Sequence, residues 1–123
     1  MRQQIVGVYE LGAESVQVVL REGTGGEFYL IPETGQIARI KVGAEYDDWG
    51  KVVSVLLHEA FELCAARIRT RYSPEDDFGG DLNSIVLILP HEEFSDICGR
   101  TGPFLVKAVP DLARAWEKWR KRQ

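Results

Sequence analysis

The sequence predicts an α+β fold in a single domain, 1–123, and three observations support that prediction. Residues 1–46 alternate apolar and polar side chains in short runs, which is typical of strands. From residue 47 the apolar residues recur at helical spacing, and a second helical pattern occupies the C-terminal part of the chain. We therefore expect a small N-terminal β-meander of about four strands, packed against a long central helix, with a C-terminal helix or helix pair.

The meander is predicted from four short runs of strand-forming residues separated by turns. The runs cover residues 5–11, 15–21, 27–31 and 37–42. Three glycines within residues 22–26 mark one turn, and Thr34-Gly35 marks another. These runs predict a small sheet, antiparallel or mixed.

A long helix is predicted in the segment 47–72, from about residue 48 to residue 71. Asp47 and Asp48 can cap its N-terminus, where the helix dipole favours negative charge. Arginines at 67, 69 and 71 suit its C-terminal turns, and Pro74 ends the helical pattern.

The segment 82–123 is predicted to hold one strand and then helices. An acidic loop at 75–81 precedes an apolar strand at 85–89. The chain becomes helical from Glu92, and residues 99–103 interrupt or bend that helix. Pro110 is expected to kink the next stretch or to start a second helix.

Composition and charge exclude several classes of protein. Hydrophobic residues make up 45% of the chain and charged residues 28%, which excludes a disordered or collagen-like protein. The net charge of −4 disfavours nucleic acid as a partner. No apolar run reaches the ~18 residues that a membrane helix needs, and the N-terminus lacks signal-peptide features. Cys64 and Cys98 are expected to stay reduced, so we expect a cytoplasmic protein without a membrane partner.

The motif that most clearly suggests a functional site is HEAFE, residues 58–62. Residues four apart on a helix lie on one face, so His58 and Glu62 can bind a common metal ion. Glu59 lies about 100° around the helix, within reach of a metal-bound water as a general base. The alternative without a functional site is that these three polar residues form a solvated strip on the helix.

A catalytic zinc site usually has three protein ligands and one open position. His91 is the first candidate for the third ligand, because it follows an apolar strand and precedes a helix. Glu92 and Glu93 are alternatives, and all three residues could equally form an ordinary acidic helix start.

The run ARIKVGAEYDDWGKVVSVLLHEAFEL resembles the strand, acidic entry and active helix of small phage- and prophage-type zincin-like metallopeptidases, the minigluzincin group. The segment HEEFSDICGRTGPFLVKAVPDLARAW is similar to the second half of small phage-encoded proteins of that kind. The resemblance extends over residues 37–119, and its one specific motif is residues 58–62. The family pattern is HExxH, whereas this chain has HExxE.

This resemblance implies a metallopeptidase that acts on a peptide or protein. It implies that His58 is a metal ligand, that Glu59 is the general base, and that Glu62 occupies the second ligand position. His91 or a following glutamate would supply the third ligand. The implied cofactor is zinc (Zn²⁺), with other divalent metals left open.

Two other functions remain open on the sequence alone. The glutamate at position 62 also suits a catalytically inactive zincin-like accessory or interaction protein. The C-terminal run RAWEKWRKRQ is basic and carries Trp116 and Trp119, so its helix could bind a partner protein. The plainer expectation is that both tryptophans pack inward. The oligomeric state is not determined by the sequence.

Overall fold

The structure is a computed structural model that describes residues 2–30, 37–68, 71–72, 86–87 and 89–122. The strands are β1 Gln3–Leu11, β2 Glu14–Arg21, β3 Gly26–Tyr29, β4 Ala38–Gly43, β5 Arg71–Tyr72 and β6 Val86–Leu87. The helices are α1 Trp49–Arg67 and α2 His91–Lys121. The predicted α+β class, with four N-terminal strands, a central helix and a C-terminal helix, is confirmed.

The four-stranded sheet has the order β1-β2-β4-β3, which differs from the sequential order of a meander. The pairs β1/β2 and β3/β4 are antiparallel, whereas β2 and β4 run parallel. A small antiparallel pair, β5/β6, lies apart from this sheet. Hydrophobic alternation identified the strands, but it carries no information on which strand pairs with which.

The unexpected order arises because the β2–β3 connection crosses the end of β4. The Gly43 amide donates to the Gly25 carbonyl oxygen at 2.7 Å, and the Ala44 amide donates to the Arg21 carbonyl oxygen at 2.8 Å. Gly23 and Gly25 adopt positive φ angles of 84° and 72°, which favour glycine. The glycine-rich connection therefore delivers β3 to the far side of β4.

One face of the sheet forms the core under both helices. Paired residues of β2 and β4 point to that face and are at most 2% exposed: Val16 with Ala38, Val18 with Ile40, and Leu20 with Val42. They cluster with Leu56 of α1 and Phe104 of α2. The sheet and the two helices therefore form two layers.

Helix α1 begins as predicted and ends earlier than predicted. The Asp48 side chain caps it by accepting a hydrogen bond from the Gly50 amide at 2.9 Å. The helix stops at Arg67, and Arg71 and Tyr72 lie in β5, so the expectation of helix to about residue 71 was too long. The charge pattern of the arginines could not reveal that the chain turns into a strand.

Helix α2 runs without interruption through Pro103 and Pro110, so the C-terminal segment is the single helix of the two predicted alternatives, and neither an interruption at 99–103 nor a second helix from Pro110 is observed. Proline clashes with the Cβ of the residue before it, and Gly102 relieves that clash at Pro103, whereas Val109 gives no such relief at Pro110. Ile97, Phe104 and Ala108 are fully buried along one side of the helix. That packing outweighs the cost of about 3 kcal/mol for a helical proline.

Both tryptophans of α2 pack inward, as the plainer expectation had it. Trp119 is fully buried, and the Arg2 guanidinium lies 3.7 Å from its ring centroid. Trp116 donates to the Ala44 carbonyl oxygen at 2.9 Å and stacks on Trp49 at 5.4 Å. These contacts place both tryptophans of α2 in the core and connect the C-terminal part of the helix to Arg2 and to Ala44.

The two cysteines are free thiols in different surroundings. Cys64 is buried, and burial raises the pKa of its thiol, so it is a core residue as predicted. Cys98 is exposed. Among the residues described, neither helix has the length and apolar character to span a membrane.

The predicted turn at Thr34-Gly35, the helix-ending Pro74 and the acidic loop at 75–81 lie outside the described residues. The predicted strand at 85–89 is represented by β6, Val86–Leu87.

Replacing Gly43 by alanine should destabilise the protein by about 1–3 kcal/mol. The new Cβ would lie 2.6 Å from both the Gly23 carbonyl oxygen and the Thr24 carbonyl carbon, and backbone atoms cannot move aside as a flexible side chain can. Urea unfolding monitored by circular dichroism measures the loss.

The matched control is Gly99→Ala in α2, where a Cβ meets no atom within 4 Å. That change should stabilise the helix by about 0.5–1 kcal/mol. Equal stabilities for the Gly43 and Gly99 variants would contradict the crossing of the connection over β4.

Candidate metal centre

Helix α1 presents the HEAFE motif at the boundary between its buried and exposed sides. Val52, Leu56 and Leu63 are fully buried against the sheet, whereas the His58 side chain is 65% exposed. The side chains of Glu59 and Glu62 are only 8% and 15% exposed. The helical spacing thus places an accessible imidazole above two largely buried carboxylates.

The three side chains converge as the helical geometry predicted. His58 Nε2 lies 3.2 Å from Glu62 Oε2 and 3.6 Å from Glu59 Oε2. One ligand atom from each residue lies within 4.8 Å of the other two. His58, Glu59 and Glu62 are therefore a group of potential ligands, formed within a single turn of helix.

The distances fit a divalent metal. Zinc binds histidine nitrogen and carboxylate oxygen at about 2.0–2.2 Å, so two ligands at a tetrahedral angle lie about 3.4 Å apart. The His58–Glu62 separation of 3.2 Å is close to that value, and the His58–Glu59 separation of 3.6 Å is slightly longer. The His58–Glu62 distance also suits a direct hydrogen bond between imidazole and carboxylate. One nitrogen and two oxygens suit zinc, and also harder ions such as manganese.

A shallow groove of about 280 Å³ opens beside the group. It is lined by His58 and Glu59, by Ser54 and Val55 one turn earlier in α1, and by Gly25 and Gly26 at the start of β3. The groove gives small molecules or an extended chain access to the accessible side of His58.

The wall of the groove depends on close packing between β3 and α1. A Cβ on Gly26 would lie 2.6 Å from Val55 Cγ1 and 3.0 Å from Glu59 Cγ. The strand can therefore approach the motif only because residue 26 has no side chain. Ser54 and Val55 could have been found from the sequence, since they lie one turn before His58 and Glu59. Nothing in the sequence connects Gly26 to the motif.

The structure does not place His91 in this group. His91 is the first residue of α2, and it is exposed together with Glu92, while Glu93 is half-buried. The first turn of α2 does reach α1, because the rings of Phe94 and Phe61 lie 6.5 Å apart. The third-ligand assignment of His91, with Glu92 and Glu93 as alternatives, stays a prediction.

Comparison of the chain with protein-family models, with curated proteins and with solved structures finds no significant match. The case for a function therefore depends on the geometry of the site and on the resemblance carried by its motif.

Replacing Gly26 by alanine should push β3 away from Val55 and Glu59, because the added Cβ overlaps both side chains. We expect a loss of about 1–3 kcal/mol in the free energy of unfolding, measured in urea. Val55→Ala should recover part of that loss in the double variant, since it removes the nearest atom. Losses that simply add would contradict a direct contact between residues 26 and 55.

Proposed function

We propose that this protein is a zincin-like metallopeptidase that binds a divalent metal ion through His58 and Glu62. The observation that carries the proposal is the convergence of His58, Glu59 and Glu62 within 4.8 Å beside an open groove. Chance acidic clusters on a surface are common and are usually well exposed. Here both carboxylates are largely buried, and a carboxylate in such a position is costly unless a charge or hydrogen-bond donor offsets its burial.

The accessible imidazole and the buried carboxylates suit different roles. His58 and Glu62 hold the ion, and the exposed side of His58 leaves the groove as the approach for a substrate. A bound divalent ion would lower the pKa of a coordinated water towards ~7 and polarise a peptide carbonyl. Glu59 then accepts the proton of the attacking water at Oε2 and donates it to the leaving amine.

Burial suits Glu59 to proton transfer. A general base must be held within hydrogen-bond reach of the proton that it accepts, and a side chain that is 8% exposed is confined by its neighbours. Val55 and Gly26 pack against this side chain and hold its carboxylate towards His58. In this proposal the tight contact at Gly26 packs β3 against α1 and also positions the Glu59 side chain for catalysis.

Apolar side chains beside the site favour a substrate with a hydrophobic residue next to the cleaved bond. Leu57 is 43% exposed and lies one helical turn before Phe61 on the same face. Phe94 from α2 is 45% exposed and contacts the Phe61 ring. These three residues offer an apolar surface adjoining His58 and Glu62.

His91 completes the proposed ligand set. The contact between Phe61 and Phe94 brings the start of α2 to the residue that precedes Glu62. Coordination by His91 would require the first turn of α2 to move towards Glu62 when the metal binds. Glu92 and Glu93 are the alternatives at the same helix start.

An inactive accessory protein is the second candidate, and one observation favours it. Among the described residues, the ligand group comes from α1 alone, without a member from another element. Such a site can bind a metal weakly or structurally and still lack the three fixed ligands of a catalytic centre. Metal binding without hydrolysis would support this candidate.

Metal content is the first test. Untagged protein dialysed against zinc or manganese should retain about one ion per chain by mass spectrometry, and His58→Ala should lose it. Adding the ion at about 100 times its Kd should stabilise the wild type by about 2.7 kcal/mol and leave the variant unchanged.

His91→Ala should weaken metal binding, whereas Glu45→Gln, which changes an exposed carboxylate outside the site, should not. Absence of bound metal and of any stabilisation by divalent ions would overturn the proposal.

The role of Glu59 is tested by Glu59→Gln. If Glu59 is the general base, the variant should retain the metal and lose about 10²–10⁴-fold in kcat on fluorescein-labelled casein. If Glu59 is a third ligand instead, the variant should lose metal affinity as His58→Ala does. Inactive wild-type protein with one bound metal would reject the peptidase and support the accessory candidate.

A further inference from the structure

We propose that the outer edge of β1 is a docking site for an extended acidic peptide segment of another protein, which would add to the sheet as a further strand. This site lies at the opposite edge of the sheet from β3 and the candidate metal centre. It uses none of the metal-site residues, so the inference stands apart from the proposed function.

The first observation is an open strand edge. β1 is nine residues long and ends the four-stranded sheet, with β2 as its one strand partner among the described residues. An edge strand presents a row of backbone donors and acceptors that can pair with an added strand. Within the same described ranges, no other element hydrogen-bonds to the backbone of β1.

The second observation is a pair of grooves that follow this edge between β1 and α2. The larger, about 410 Å³, is lined on the strand side by Val8, Tyr9 and Glu10. The smaller, about 310 Å³, is lined on the strand side by three residues earlier in β1, at positions 4–6. Successive strand residues point to opposite faces, so three consecutive lining residues indicate grooves along the edge of the strand.

The third observation is the charge of the helix side of these grooves. Arg100 and Lys107 line the larger groove, and Arg114 and Lys118 line the smaller one. The carboxylates that line the two grooves are Glu10 and Asp111. Asp111 is already bound by Tyr9 Oη at 2.7 Å and by Arg114. Arg100 is also paired with Asp96, so the positive charge of this cationic row comes mainly from Lys107 and Lys118.

The bulge in β1 selects the segment that can pair. The register shifts between Ile5 and Gly7, and such an irregularity interrupts a regular hydrogen-bond ladder. The continuous part, residues 7–11, lies beside the larger groove. A bound segment of about five residues would pair there, with the cations of the smaller groove beyond its end.

The two faces of this edge specify an alternating sequence. Tyr9 pairs with buried Val16, so it faces the helices, whereas Val8 faces the opposite side and is 54% exposed. Alternate residues of an added strand would therefore face Arg100 and Lys107 or extend the apolar surface of Val8. Acidic residues suit the first positions and apolar residues the second.

A peptide fits these features better than a nucleic acid does. Phosphates would use the cations but not the open strand edge or the exposed Val8 and Ile5. Base stacking needs accessible aromatic rings, and the tryptophans of α2 are buried. The proposal therefore commits to an acidic, strand-forming peptide.

The test uses the full-length protein and the fluorescein-labelled peptide TEVEVET, measured by fluorescence anisotropy. We expect saturable binding that weakens with added salt. Lys107→Glu should weaken it by at least about tenfold, because it reverses the charge of an exposed groove residue. The control Lys51→Glu makes the same charge change on α1, away from the groove, and should leave binding unchanged.

Amide hydrogen exchange identifies the mode of binding. The peptide should slow exchange of outward amides within residues 7–11, and a version with N-methylated backbone amides should not bind. Lys107→Ala is an independent second variant, because it removes the positive charge at that position without introducing a negative one.

Four results would overturn the proposal. The first is no binding at about 1 mM peptide, and the second is equal affinity for a peptide with lysine in place of each glutamate. The third is an equal loss of affinity in Lys107→Glu and Lys51→Glu. The fourth is tighter binding of a DNA duplex than of the peptide. The last result would assign the cationic row to phosphates.

Discussion

The crossing of the β2–β3 connection over the end of β4 determines the rest of the architecture. Three backbone hydrogen bonds hold this connection to residues 43–45, and the absence of a side chain at Gly43 lets the two backbones meet. The crossing moves β3 to the sheet edge beside α1. Gly26 then packs on Val55 and Glu59, and this contact forms one wall of the groove at the candidate metal centre. A glycine-rich turn therefore controls the surroundings of a carboxylate that is distant in sequence.

The sequence predicted the local features because local spacing determines them. The strands, the capped helix and the convergence of His58 with Glu62 all depend on residues at most a few positions apart. Strand order and the end of α1 depend on partners distant in sequence, which periodicity does not encode. Pro103 and Pro110 misled the prediction because a buried helical face stabilises α2 despite them. Whether His91 can approach His58 and Glu62 depends on how α2 meets α1, which local spacing does not determine.

The burial of two carboxylates is the feature of the candidate site that most needs a physical cause. Glu59 and Glu62 are 8% and 15% exposed, and both lie within 3.6 Å of His58. Two like charges so close together repel each other, and removal from water strengthens the repulsion. A positive charge between them reverses that cost, and an imidazolium or a metal ion can supply it. A protonated His58 supplies such a charge to both carboxylates, and under the proposed function a metal ion held by His58 and Glu62 would supply it beside Glu59.

The two edges of the sheet differ in a way that separates their roles. At β3 the edge meets α1 so closely that a side chain at Gly26 would overlap Val55 and Glu59, and the adjoining groove is lined by the Glu59 carboxylate. At β1 the edge stands beside grooves lined by cations of α2. The first edge therefore suits the proposed metal ion and the second the proposed acidic peptide, and the linings of the grooves at the two edges share no residue. Trp116 holds the C-terminal part of α2 to Ala44 and Trp119 holds it to Arg2, so these contacts fix the backbone from which Arg114 and Lys118 project.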